Sequence, residues 1–401
     1  MDTAFFATAF QNPAGSPIRE LFPYLSQPGM ISLAGGYPSP SLFDLEGLQE
    51  AARSAVSARE HFQYGATEGP LPLREELAGL CAFRSIRVEP AQLMVTTGSQ
   101  QAFDLLVRTL INPGDTVLVE SPCYPATLQA LRLAHAQIIE IPTDADGIQT
   151  EALEQFLSGL APAQKPRLLY TVPNFSNPGG TVLSLPRRQQ LIELALRHGF
   201  FIVEDDPYGD LNFSDQHIPT LHGIAQDSDD DNPVIYLSSL SKTVAPALRT
   251  GWLIGPQALL RRCAIAKQTA DLCSSPITQL IACAYLQSGR YGDTVLHARQ
   301  AYHARLRSLI DALRKHLGGQ ASFVEPQGGL FLWLRLADHI DTAALFQAAV
   351  AHNVIYVPGK AFYAHHPDQQ CLRLSFAAPS EDEVATGIAR LQAALAQISA
   401  S

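Results

Sequence analysis

The chain has 401 residues, of which 46% are hydrophobic and 16% charged, and a formal net charge of −10. That composition excludes a disordered chain and is enough for a large core in more than one domain. The acidic balance, without a Lys/Arg run, speaks against a nucleic-acid partner. The six cysteines (Cys81, Cys123, Cys263, Cys273, Cys283 and Cys371) form no Cys-x-x-Cys pair and no zinc spacing with histidine, so no metal site is expected and the thiols should be reduced and buried. The sequence opens Met1-Asp2-Thr3 with neither a basic stretch nor a long apolar segment. No signal peptide or membrane span is expected, and the cytoplasm is the expected location.

Residues 1–40 are rich in Pro, Gly and Ser and read as extended. Helices are expected over 46–60 and 71–84. From residue 93 an alternation sets in: strand 93–96, helix 100–111, strand 116–120, helix 126–134, strand 137–141, helix 150–157, strand 167–172, helix 186–198, then strands 200–204 and 234–237. This spacing predicts βαβ units and an α/β fold with a mostly parallel, doubly wound sheet. Apolar runs such as Phe200-Phe201-Ile202-Val203 suit strands buried on both faces. The run Asp227-Ser228-Asp229-Asp230-Asp231 reads as a solvated loop. A helical stretch over 257–316, broken near Ser274-Ser275-Pro276, leads into a strand at 328–333, a helix at 342–352, strands near 354–357 and 371–376, and a last helix from 380. That tail reads as a smaller α+β domain. The expected organisation is an N-terminal segment 1–40 joining the small domain, a large domain over 41–290, and a small C-terminal domain over 291–401.

In an open α/β sheet, ligands sit beyond the carboxyl ends of the strands. Five such places carry residues with chemistry. Thr97-Gly98-Ser99-Gln100 could seat a phosphate on a helix N-terminus or be an ordinary cap. Tyr124, after Ser121-Pro122-Cys123, is either a stacking aromatic or a core tyrosine. The segment from Val172 to Gly180 gathers two asparagines, two prolines and two glycines, and a plain turn explains only part of that cluster. Glu204-Asp205-Asp206-Pro207-Tyr208 sets three carboxylates after an apolar strand, which is costly unless each is paired or hydrogen-bonded; metal binding lacks a histidine nearby. Ser239-Leu240-Ser241-Lys242, followed by Arg249-Thr250-Gly251-Trp252, offers either a desolvated amine or an exposed loop lysine. Together these places supply a phosphate cradle, a stacking ring, a carboxylate, an amine and an arginine on one sheet edge. That is the set pyridoxal 5′-phosphate (PLP) requires, with the lysine binding its aldehyde and a carboxylate keeping its ring nitrogen protonated.

On these motifs the chain resembles the fold-type I PLP-dependent aminotransferases of class I/II. The similarity is to the 2-aminoadipate and kynurenine aminotransferase-like branch, which also supplies the effector domain of MocR-type regulators, and it runs from Ile18-Arg19 to Arg373-Leu374-Ser375-Phe376. The resemblance implies that Lys242 is the Schiff-base lysine and general base. It implies phosphate contacts from Ser99, Gln100, Ser239 and Arg249, and a stacking role for Tyr124. Asn177 and Tyr208 would hold the cofactor's phenolic oxygen and Asp205 its ring nitrogen, leaving Asp206 structural. Arg373 would clamp the substrate α-carboxylate beside Gly36 and Asn177, and Arg19 would meet a side-chain carboxylate. Tyr64, in Gln63-Tyr64-Gly65, would reach the phosphate of a neighbouring subunit, which implies a homodimer with shared sites. Two departures stand out: Gly179-Gly180 where the family more often has Thr then Gly, and Tyr37 where the branch often has leucine. The implied reaction is transfer of an amino group from an L-amino acid to a 2-oxo acid, 2-oxoglutarate by expectation, with ping-pong kinetics. The motifs do not say which Cα bond breaks, so decarboxylation, elimination, cyclisation and oxidation stay open, with a ligand-sensing effector as a further alternative.

Overall fold

The computed structural model of the chain describes residues 3–11, 13, 15–161, 164–214, 216–226 and 231–399. Its strands are β1 (Ile31–Ser32), β2 (Leu93–Thr96), β3 (Thr116–Ser121), β4 (Gln137–Asp144), β5 (Gly147–Ile148), β6 (Leu168–Thr171), β7 (Phe201–Asp205), β8 (Val234–Ser239), β9 (Gly251–Ile254), β10 (Ala321–Phe323), β11 (Phe331–Leu336), β12 (Val354–Ile355), β13 (Val357–Pro358) and β14 (Cys371–Ser375). β2 to β9 form an eight-stranded sheet in the order β2-β9-β8-β7-β6-β3-β4-β5. The run β4-β3-β6-β7-β8 is parallel, whereas β9 is antiparallel to both β8 and β2. Every residue of β2, β6, β8 and β9 is buried, so both faces of the sheet are covered. Neighbours on β7 show the two-residue alternation: Val203 packs in a cluster with Phe103 and Leu106, and Ile202 in a separate one with Leu191 and Leu221.

β10, β11, β14 and β13 make a four-stranded antiparallel sheet. The helices Tyr291–Leu317, Thr342–Ala351 and Glu381–Ser399 pack together beside it. β1 pairs in parallel with β12, setting Ile31 opposite Val354, so the N-terminal segment lies against the C-terminal part of the chain. Among the described residues no helix is long and apolar enough to cross a membrane.

Three departures from the sequence-based expectations bear on the fold. Residues 1–40 are not simply extended, because they hold single helical turns at Thr3–Phe5, Thr8–Gln11, Arg19–Leu21 and Phe22–Leu25. Pro and Gly rule out long helices but not single turns, and Pro23 sits in the first turn of the last one, where its missing N–H is harmless. β9 is a strand where only a motif was read. The stretch 257–316 breaks twice, giving helices Gln257–Ala270, Pro276–Gln287 and Tyr291–Leu317; the second break carries Gly289 at φ 77°, a left-handed helix end. Of the acidic run, Asp227, Ser228, Asp229 and Asp230 lie outside the described residues.

β9 approaches the start of the helix Ser99–Leu110 so closely that a Cβ on Gly251 would stand 2.5 Å from the Gly98 carbonyl carbon and 2.6 Å from Ser99 N. Gly251→Ala is expected to lower the unfolding free energy by roughly 1–3 kcal/mol, the range for overpacking a tight contact. A urea midpoint unchanged from the parent would show that the two backbones can part freely.

Candidate functional site

The carboxyl ends of β7 and β8 and the start of the helix Ser99–Leu110 enclose a cavity of about 130 Å³. Nine of the expected site residues line it: Ser99, Gln100, Tyr124, Asn177, Asp205, Tyr208, Ser239, Lys242 and Arg249. Gly36 and Arg373 join through contacts. Lys242 Nζ donates to the Gly36 carbonyl at 2.9 Å, and Arg373 Nη1 donates to Asn177 Oδ1 at 2.7 Å. Two residues stay outside. Tyr64 is 77% exposed and away from the cavity of its own chain. Arg19 is exposed on a single helical turn, although its charge is felt at the Tyr124 hydroxyl.

The three successive carboxylates have different surroundings. Glu204 is fully buried and caps the helix Leu221–Ala225, accepting the Leu221 and His222 N–H groups at 2.9 and 2.8 Å. Asp206 accepts from Arg84 Nη2 at 2.9 Å, Asn174 Nδ2 at 2.8 Å and the Tyr236 hydroxyl at 3.1 Å. Asp205 alone lines the cavity. Its Oδ2 accepts the Tyr170 hydroxyl at 2.7 Å, while its Oδ1 is buried without a partner. Burial pushes the Asp205 carboxyl up to about 6, against the pull of the Tyr170 hydrogen bond. The Lys242 amine moves the opposite way, to about 8, because burial and the charges of Arg373 and Arg249 disfavour its cationic form. A useful fraction of it is therefore neutral, and nucleophilic, near pH 7.

A second group of contacts shapes the entrance to the helix Ser99–Leu110. Gly98 takes φ 82° just before Ser99, and Arg249, itself at φ 50°, lies so near that a Cβ on Gly98 would meet its Nη2 at 2.5 Å. Arg249 Nη2 donates to the Thr97 carbonyl at 3.0 Å. Ser239 Oγ accepts the Ser241 N–H at 3.0 Å. Behind the cavity lining, fully buried Arg188 clamps the asparagine loop. Its Nε donates to Leu183 O at 2.8 Å, and its Nη2 to Pro173 O at 3.0 Å and Asn174 Oδ1 at 2.7 Å. Arg373 also has no exposed surface. Its Nη2 donates to Ala34 O at 2.7 Å, its guanidinium lies 4.1 Å from the Phe331 ring centre, and its Nε is buried without a partner. No carboxylate pairs with Arg373 among the described residues. A buried cation without a counter-ion marks a place for an anion.

Sequence reasoning missed Tyr170 and Ser241, both of which line the cavity. The signal for Tyr170 was a hydroxyl inside the fully buried strand Leu-Leu-Tyr-Thr, where it must find a partner. For Ser241 no signal beyond its place beside Lys242 was available.

The contrast between neighbours gives a stability test. Asp206→Asn leaves the largely buried Arg84 cation with Asp210, at 3.9 Å, as its remaining counter-charge, so it is expected to lower stability by about 3 kcal/mol, the low end for a broken buried pair. Asp205 differs in sign. A carboxyl whose folded-state value is raised stabilises the fold only below its unfolded value, and that contribution fades as pH rises through the folded one. From its ordinary 3.8 to about 6, the window in which cofactor-free protein loses stability, Asp205→Asn should flatten the profile. A parallel profile for variant and parent, followed by chemical denaturation, would exclude this role of Asp205.

Comparison with known proteins agrees with this geometry. The family model of class I and II aminotransferases matches residues 30–391. The chain is 37% identical to an aromatic-amino-acid aminotransferase of Thermococcus litoralis over 391 residues, 96% of this chain and 93% of the relative. The crystal structure of Pyrococcus horikoshii kynurenine aminotransferase, in complex with PMP, superposes with a TM-score of 0.93 at 36% identity and covers 98% of each chain. That of the α-aminoadipate aminotransferase of Thermus thermophilus, complexed with N-(5′-phosphopyridoxyl)-L-leucine, gives 0.91 at 32% identity over 99% of each chain. With likeness over nearly its whole length, this chain belongs to the class I and II aminotransferases.

Proposed function

We propose that the chain moves the amino group of an L-amino acid to a 2-oxo acid, 2-oxoglutarate being the expected acceptor, in two alternating half-reactions. The cofactor is pyridoxal 5′-phosphate. The observation that carries the reading is a cavity holding both an amine of lowered pKa, Lys242, and a buried carboxylate oxygen without a donor, Asp205 Oδ1. A protonated pyridine nitrogen is the donor that oxygen lacks, and an aldehyde is the partner that amine suits. When bound, PLP supplies that aldehyde and a ring that takes up the electron pair left at Cα.

The remaining roles follow from each group's chemistry. The N–H groups at Ser99 and Gln100, with Ser239 and Arg249, offer donors and positive charge for the phosphate. Tyr124 lies against the ring, and Asn177 and Tyr208 hold its phenolic oxygen. Burial holds the Tyr208 hydroxyl far above its ordinary value, so it stays a neutral donor. Arg373 takes the substrate α-carboxylate, with Gly36 leaving space: a Cβ there would come within 3.1 Å of Phe331 and 3.8 Å of Arg373 Nη2. Lys242 then carries the Cα proton on Nζ as general base. Arg19 is proposed for the side-chain carboxylate of acidic substrates. We further propose a homodimer in which Tyr64 serves a second copy's phosphate, a reading supported by the exposure of Tyr64 and of Phe62, 66% exposed beside it. A reducing, cytoplasmic location is consistent with six free, buried cysteines.

Purified protein supplied with PLP is expected to absorb near ~420 nm through its lysine-bound cofactor, and Lys242→Ala to lose that band. Single amino acids should convert the parent to the pyridoxamine form. Release of ammonia or CO2 across a donor panel, without that conversion, would point to a different reaction at Cα. For Arg19→Ala, kcat/KM for acidic donors should fall on the order of tenfold, the worth of one charge-assisted hydrogen bond, with neutral donors little changed. Equal losses on both classes would remove the proposed role.

A further inference from the structure

The helix Gln257–Ala270 carries a lysine, Lys267, without exposed surface. A buried ammonium persists only where its charge and its three N–H bonds are met. Lys267 Nζ donates to both Asp271 carboxylate oxygens at 2.8 Å, to Gln101 Oε1 at 3.1 Å and to Ser274 Oγ at 3.0 Å. None of these four residues lines the cofactor cavity. The three partners of Lys267 all reach Thr97, the residue before Gly98 of the cavity lining. Gln101 Oε1 accepts the Thr97 N–H at 2.8 Å, and Ser274 Oγ lies 2.9 Å from Thr97 Oγ1. With Arg249 on its carbonyl, Thr97 is held at its amide, its hydroxyl and its oxygen.

The orientation of one amide group decides whether this holds. Turned over, Gln101 would point its NH2 at the Thr97 N–H, donor against donor. Two neighbours of opposite character prevent that. The ammonium of Lys267 can be met only by an acceptor, Oε1, and Asp271 Oδ2 takes the donor Nε2 at 2.6 Å. We infer that Lys267 is a positioning residue for the phosphate cup: it fixes the Gln101 amide and, through it, the Thr97-Gly98-Ser99 backbone that meets the cofactor phosphate. This rests on the PLP reading above and deepens it. Because Asp271 balances the charge of Lys267, the effect is one of geometry and is confined to the phosphate end of the site.

The test compares two ligands that differ only in the phosphate. The parent, Lys267→Met, and the pair Lys267→Met with Asp271→Asn are stripped of cofactor and titrated with PLP and with pyridoxal, following visible absorbance and protein fluorescence. Both variants are expected to bind PLP about tenfold or more weakly while pyridoxal affinity stays within about twofold, since the loss is that of hydrogen bonds to the charged phosphate. Equal weakening toward both ligands, or unchanged PLP affinity, overturns the inference and leaves the PLP reading intact. A parent protein that binds neither ligand overturns both. Should Lys267→Met fail to fold, the pair, which removes the partner charge of Asp271 together with the lysine, carries the same comparison.

Discussion

Everything around the cavity depends on how three consecutive carboxylates end β7. In an extended strand, neighbours point to opposite faces, so Glu204 and Asp206 face one layer and Asp205 the other. Each buried charge must be met, and the elements that meet them are far apart in the chain. A helix start at Leu221 and Arg188 answer Glu204; Arg84, Asn174 and Tyr236 answer Asp206. Those partners in turn fix the asparagine loop and the end of the helix Leu71–Phe83. Asp205 is answered on one oxygen only. The unmet oxygen is where structure turns into chemistry.

Much of this was legible in the sequence, for physical reasons. The parallel sheet was visible because strands buried on both faces are continuous apolar runs separated by helices of regular length. The grouping of these residues was visible because ligands gather beyond strand ends: Lys242, Asn177 and Ser99 follow strands and Asp205 ends one. What could not be read were partnerships between distant segments. Nothing near Asp206 in sequence announces Arg84, and nothing near Asn174 announces Arg188. β9 escaped notice because four residues opening on glycine show no periodicity. Tyr64 and Arg19 lie outside the cavity lining, and Arg19 reaches it only through its charge at Tyr124.

Arg373 joins what the chain keeps separate. It sits on β14 of the smaller sheet, yet its guanidinium holds Asn177 from the loop beyond β6 and Ala34 from the segment beyond β1. Lys242 reaches the same segment through the Gly36 carbonyl. Two cations from two sheets thus grip one short stretch, Ala34 to Gly36, so that the N-terminal segment is wall and tether at once.

The guanidinium of Arg373 also has a thermodynamic consequence. Its desolvation is incompletely answered in the protein alone: burial pulls it down to about 10, and among the described residues no carboxylate offsets that. Any small acid able to supply the missing charge returns part of that penalty to the folded state and none to the unfolded chain. With Arg373 in its proposed role, folding and recognition of a carboxylate are linked through a single side chain, and resistance to heat becomes a measure of which acids the protein accepts, independent of turnover.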